Sequence, residues 1–213
     1  MSRRPYRSAL RTEQAANTRR RILRAAAGCF AEQGYGRTTL AQIATAAGVS
    51  VETVKGQGAK RDLLLAAFEQ AFTGQEGQQP LHQQDRLAAI LELPDGDRLI
   101  DAAVEFLAAA NRRSYALWRA LTSAADTDPA VAELRQEILQ RRRVDIESAM
   151  GVLQRRGLLP RGPRQRRRAA AACSFLLSHE GYQQLVAESG WSDADYEAWI
   201  RTMIRAALRL GLD

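Results

Sequence analysis

Residues 37–60 read RTTLAQIATAAGVSVETVKGQGAK, and this stretch decides the fold. Thr39 is placed to cap a helix through its hydroxyl, while Gln42, three residues on, reaches back to the cap's own N–H. Leu40, Ile43, Ala44 and Ala47 recur at helical spacing and give that helix one apolar face. Gly48 stops it, because glycine enters the left-handed region without a Cβ penalty. Ser50 then caps a second short helix that runs to Val54 or Lys55, and Gly56 and Gly58 end it early. Two short helices joined by a glycine turn form a helix-turn-helix, whose second helix suits a major groove and can present side chains to base edges.

Upstream, Ile22, Ala26, Cys29, Phe30 and Gln33 mark a helix over 17–33 that Gly34 closes, and residues 1–16 read as a flexible basic arm carrying Arg3, Arg4, Arg7 and Arg11. Downstream, Leu63, Leu64, Ala67, Phe68 and Ala71 mark a helix over 60–72, and TGQEGQQP at 73–80 reads as a linker. Further helices are predicted over 86–93, 97–110, 114–125, 128–156 and 165–188. Asp128-Pro129 is a strong helix start, and the loop 158–164 contains Pro160 and Pro163. Ser192 with Asp195 opens a last helix bearing Tyr196, Trp199, Ile200, Met203, Ile204, Ala207 and Leu208. No alternating β-branched run occurs. The expected fold is all-α, about nine helices, in two parts: a helix-turn-helix domain at 17–60 and a helical ligand-binding and dimerisation domain at 61–213.

Charge points the same way. Residues 1–60 hold eleven basic side chains, nine Arg plus Lys55 and Lys60, against Glu13, Glu32 and Glu52, a net +8. The remaining 153 residues hold 20 basic and 21 acidic side chains, a net −1, so the first segment carries the whole excess of the +7 chain. A localised positive field is the footprint of a polyanion. At 46% hydrophobic and 26% charged residues the composition is that of a globular protein. No apolar run approaches the roughly 18 residues a membrane span needs, and the basic start lacks the apolar stretch of a secretory signal. The two cysteines, Cys29 and Cys173, have no pairing pattern and read as reduced thiols of a cytoplasmic protein. With only His82 and His179, and no nucleophile elbow, metal motif or phosphate loop, no catalytic constellation, metal site or cofactor is expected.

The stretch 19–55, RRRILRAAAGCFAEQGYGRTTLAQIATAAGVSVETVK, resembles the DNA-binding domain of the tetracycline-repressor (TetR) family. Ile22-Leu23, Ala25-Ala26, Phe30, Gly34-Tyr35, Thr38-Thr39, Ile43-Ala44, Ala47-Gly48-Val49-Ser50 and Thr53-Val54 stand at that family's spacings. The resemblance implies a homodimer whose recognition helices enter successive major grooves of a palindromic operator, about 34 Å apart. It places Thr38, Thr39 and Ser50 on phosphates at helix N-termini, with Val51, Glu52, Thr53 and Lys55 toward the groove, and Arg37, Gln42 and Lys60 complete the set. Glu52 suits a cytosine amine and Val51 a thymine methyl. After Thr53-Val54 the chain is one residue short of the family pattern and lacks its tyrosine and phenylalanine. Lys60 then aligns with the family's phosphate-contacting lysine and Gln57 with the phenylalanine, which predicts a mobile recognition helix in the absence of DNA.

For the C-terminal part the resemblance implies a small-molecule effector bound between helices, with Phe106, Tyr115, Trp118, Leu121, Met150, Phe175 and His179 as candidate lining. A dimer interface on the last two helices would use Ala169, Ala172, Leu176, Trp199, Met203 and Ala207. The function read here is a sequence-specific transcriptional regulator, a repressor released from its operator by a small molecule. The rival reading is a dimeric small-molecule or protein-binding module whose helix-turn-helix no longer reads DNA.

Overall fold

The structure, a computed structural model, describes residues 4–77, 80–159 and 162–209, and the side chains from residue 11 onward. Arg3, the side chains of Arg4 and Arg7, and Pro160 therefore lie outside the described residues. The described residues form ten α-helices and no strand: α1 Arg4–Arg37, α2 Leu40–Ala47, α3 Val51–Lys55, α4 Lys60–Thr73, α5 Asp85–Leu91, α6 Gly96–Ala125, α7 Pro129–Arg155, α8 Pro163–Leu176, α9 His179–Tyr182 and α10 Asp193–Arg209. A 3₁₀ turn, Leu81–Gln83, precedes α5, and a π-helical segment, Gln183–Glu188, continues α9.

Several boundaries differ from the sequence reading, each for a local reason. Residues 4–16, expected as an arm, belong to α1, since no Gly or Pro interrupts 6–27. The helix breaks at Gly34 (φ 76°, ψ 166°). The helices expected at 97–110 and 114–125 are one, α6; the polar run Asn111 to Ser114 holds no helix breaker. Conversely 165–188 is interrupted. α8 ends at Leu176, and Ser178 caps a new helix by accepting from the Gly181 N–H at 2.9 Å. The buried Asn111 side chain donates to the carbonyls of Leu177 (3.1 Å) and Ser178 (3.4 Å). A break in a helix frees carbonyls that need donors, and Asn111 supplies them. Pro163, read as loop, is the first residue of α8, where its missing N–H costs nothing.

The chain divides into two compact units. The first takes residues 1–76 and 116–135, so α4 and the second half of α6 join the helix-turn-helix, beyond the boundary expected after residue 60. Its buried side chains include Ile22, Leu23, Phe30, Ile43, Val54, Leu63 and Leu64, all fully enclosed. Phe68 lies 5.7 Å from Trp118, centroid to centroid. The second unit takes 77–115 and 136–213. Its main core joins α6, α7, α8 and α10 through Leu99, Val104, Met150, Ala169, Ile200 and Ile204, and a smaller cluster gathers Leu87, Leu91 and Phe106. Cys29 and Cys173 are buried free thiols; burial pushes Cys173 up to about 12.

Candidate nucleic-acid interface

The helix-turn-helix is assembled as its residues dictate. The Thr39 hydroxyl accepts from the Gln42 N–H at 3.2 Å, and Gln42 Oε1 accepts from the Thr39 N–H at 2.8 Å. This reciprocal pair satisfies two orphan donors at the start of α2. Ile43, Ala44 and Ala47 are the buried face. Gly48 closes the helix in the left-handed region at φ 63°. A Cβ there would stand 3.0 Å from Arg21 Nη2, the atom that donates to the Ala47 carbonyl at 2.6 Å and the Gly48 carbonyl at 3.3 Å. Arg21 of α1 therefore supplies donors for the carbonyls that the end of α2 leaves open.

Ser50 caps α3, accepting from the Thr53 N–H at 3.1 Å, with the two hydroxyls 2.8 Å apart. Val54 points inward and is fully buried; it is the single anchor of a five-residue helix. The rest of α3 is open. Glu52 and Lys55 are exposed and pair at 2.9 Å, while Val51 and Thr53 are half-buried. Such an exposed pair adds little to stability, so both side chains are available to rearrange against a partner.

Among the expected DNA-contact residues, Arg37, Thr39, Gln42, Ser50, Glu52 and Lys55 are exposed on or beside α2 and α3. Arg37 also donates to the Gln33 carbonyl at 2.9 Å. Thr38 differs. It is 1% exposed, and its hydroxyl lies 3.1 Å from the Cys29 carbonyl and 2.8 Å from that of Gly34. The break in α1 at Gly34 strands those carbonyls, so the Thr38 hydroxyl is engaged within the fold. Lys60 is also engaged: Nζ donates to the carbonyls of Tyr35 (3.0 Å) and Thr38 (3.1 Å) and sits 4.1 Å over the Tyr35 ring. An ammonium has three donors, which leaves one for an outside anion.

The turn after α3 is where sequence reasoning saw a gap, and there the structure places a residue it passed over. Arg19 Nη1 donates to the Gln57 carbonyl at 3.1 Å and to its side-chain oxygen at 3.3 Å. Arg19 also pairs with Glu76 at 2.6 Å. Arg19 and Arg21 stood in the sequence only as members of a basic run. Their one visible signal was spacing, since residues two apart on a helix diverge to different neighbours.

The other predicted residues are dispersed. Of the ligand-pocket set, Phe106 sits in the small cluster with Leu87 and Leu91, under the Arg86 guanidinium at 5.1 Å. Tyr115 and Met150 belong to the second unit's main core, whereas Trp118 and Leu121 are buried in the first unit. Phe175 is 66% exposed and lines no interior. The set is thus split between the two units, because helical spacing gives the inward face of a segment but not which core it enters. Of the interface set, Ala169 (1%) belongs to the second unit's own core, and Ala207 (8%) is buried on α10. Ala172, Leu176, Trp199 and Met203 are half-buried.

Comparison with known proteins agrees with this geometry. The family model described as bacterial regulatory proteins, tetR family, matches residues 22–67. Over 151 residues the chain is 31% identical to the HTH-type transcriptional regulator CymR of Pseudomonas putida, covering 68% of this chain and 70% of the relative. Two solved structures share the fold. A proposed TetR-family regulator from Mesorhizobium loti MAFF303099 has a TM-score of 0.69 at 20% identity, covering 92% of this chain and 97% of that one. A proposed transcriptional regulator from Saccharomonospora viridis, crystallised with choline, has a TM-score of 0.66 at 21% identity, covering 89% and 96%. With its capped helix-turn-helix, basic first segment and a relative matched over two thirds of its length, the chain belongs to the TetR family of DNA-binding transcriptional regulators.

Proposed function

We propose that the protein is a cytoplasmic, homodimeric repressor that binds a palindromic operator and leaves it when a small-molecule effector binds the second unit. One observation carries the DNA side of this reading. α3 buries a single anchor, Val54, and leaves Glu52 and Lys55 exposed while Ser50 caps its N-terminus. A helix held from behind and open in front is shaped for a groove. Thr39, Gln42, Arg37 and the remaining donor of Lys60 would reach phosphates; Val51, Glu52, Thr53 and Lys55 would reach bases. Ala172, Leu176, Trp199 and Met203 would cover one another across a twofold axis. Release by effector is a linkage, so effector and operator must weaken each other by the same factor.

The test is a footprint and titration on DNA flanking the protein's own gene at two salt concentrations. A protected palindrome that survives competitor DNA supports sequence-specific dimeric reading. Uniform binding that fades with salt means phosphate attraction alone, and the reading then fails in favour of a module that no longer reads DNA.

A further inference from the structure

The second unit holds a buried polar set that packing alone does not account for. Tyr196 of α10 is 1% exposed, and its hydroxyl has no hydrogen-bond partner. A buried hydroxyl without a partner destabilises the fold that encloses it. Burial pushes this phenol up, opposed by the Asn111 amide, which is within reach as a donor but out of line for a hydrogen bond, and by the Arg142 charge. Arg142 of α7 is half-buried and donates to the Ser174 carbonyl. Burial pulls its pKa below the ordinary value, against the charge of Glu180 and the Tyr196 phenol. Glu180 itself is exposed. His179 is 5% exposed, 2.8 Å from Ser114 Oγ, and burial followed by the Arg142 charge holds it at about 3, hence neutral.

Three features of the backbone converge on the same residues. α8 breaks immediately before His179, Asn111 satisfies the freed carbonyls, and a π-helical segment follows at Gln183–Glu188. Such insertions in helices mark functional positions more often than chance. Tyr182, beside the set, meets Tyr196 edge-on at 5.3 Å and Tyr115 at 5.5 Å.

We infer that Arg142 and the Tyr196 hydroxyl receive the anionic head of the effector, a small organic carboxylate, with His179 as a neutral neighbour and an apolar or aromatic body against Tyr115 and Tyr182. Charge decides the class. The set holds one half-buried cation, one buried neutral imidazole and a buried phenol donor; of the nearby carboxylates, Glu180 is exposed and Asp193, which accepts from the Tyr182 hydroxyl at 3.0 Å, is half-buried. A guanidinium in such surroundings gains most from a carboxylate, bonded through charge-assisted N–H donors. A cation would meet Arg142 repulsion, and a neutral ligand would leave it only the Ser174 carbonyl and the exposed Glu180 charge. This inference rests on the effector reading above.

The test uses the full-length protein and measures heat of binding for acetate, hexanoate, benzoate and phenylacetate beside their uncharged amides. Operator retention is followed in parallel. At least one carboxylate is expected to bind about tenfold or more tightly than its amide, and Arg142→Gln to lose that preference. Tyr196→Phe should weaken the carboxylate about tenfold yet leave the unliganded thermal midpoint unchanged or higher, since it removes an unpartnered hydroxyl. A merely structural Tyr196 would not move ligand affinity. Equal binding of acid and amide, unaltered affinity in both variants, or no binding by any carboxylate overturns the inference. The effector reading survives that failure if a neutral or cationic compound releases the operator, and falls with it if none does.

Discussion

Lowering the pH toward about 5 should destabilise this protein through His179, one buried imidazole. The Ser114 hydroxyl donates its only proton to the Ala110 carbonyl at 2.7 Å. The contact at 2.8 Å to His179 Nε2 must then have the imidazole as donor. Burial, followed by the charge of Arg142, lowers the folded pKa from 6.5 to about 3. The unfolded chain therefore takes up the proton first. Stability is complete above the unfolded value, 6.5, and is lost as pH falls from there toward about 3. Each unit of pH in that window costs about 1.4 kcal/mol, so about 2 kcal/mol is lost near pH 5. The assay is urea unfolding followed by helical circular dichroism near pH 7 and pH 5, for the parent and for His179→Gln. Every other ionisable side chain is common to both proteins, so the difference isolates His179. The parent should lose about 2 kcal/mol more than the variant. Equal losses would show that His179 is hydrated or already paired in a way that leaves its protonation free, and the reasoning would be refuted.

Three further outcomes are expected. Gly48→Ala, with φ at +63° and a Cβ 3.0 Å from Arg21 Nη2, should cost about 1–2 kcal/mol in thermal unfolding and lower operator affinity without removing a DNA contact. Unchanged affinity would mean the Arg21 clamp does not position α3. Arg19→Ala should accelerate amide exchange at Gln57 and Gly58 relative to the parent, because Arg19 is the long-range tie on that turn; equal exchange would return the ordering of the turn to its glycines. Asn111→Ala should cost about 2–3 kcal/mol by leaving the Leu177 and Ser178 carbonyls without their donor, measured by thermal unfolding, and a loss below about 1 kcal/mol would mean water replaces the amide.

Local signals made the helix-turn-helix readable without coordinates. Thr39 with Gln42, Gly48, and Ser50 with Thr53 each act within a few residues, and the structure contains each of these interactions. Periodicity likewise identified Ile43, Leu63 and Ile200 as inward-facing, since the face of a helix follows from its period alone. What depended on distant pairs was not readable. Thr38 looked like an anion contact until the break at Gly34 showed which carbonyls its hydroxyl must satisfy. Arg19 and Arg21 looked like charge until Gln57, Ala47 and Gly48 were brought to them. The continuity of α6 and the interruption after α8 were decided together, by one buried amide, Asn111, that is a poor helix former in sequence and a needed donor in space. The sequence by itself thus determined an all-helical chain with a groove-sized capped motif, because caps, turns and amphipathic faces are short-range. Only the tertiary structure decided which polar side chains are consumed by the fold and which stay open to a partner, because a buried donor or acceptor must be matched wherever in the chain its partner lies.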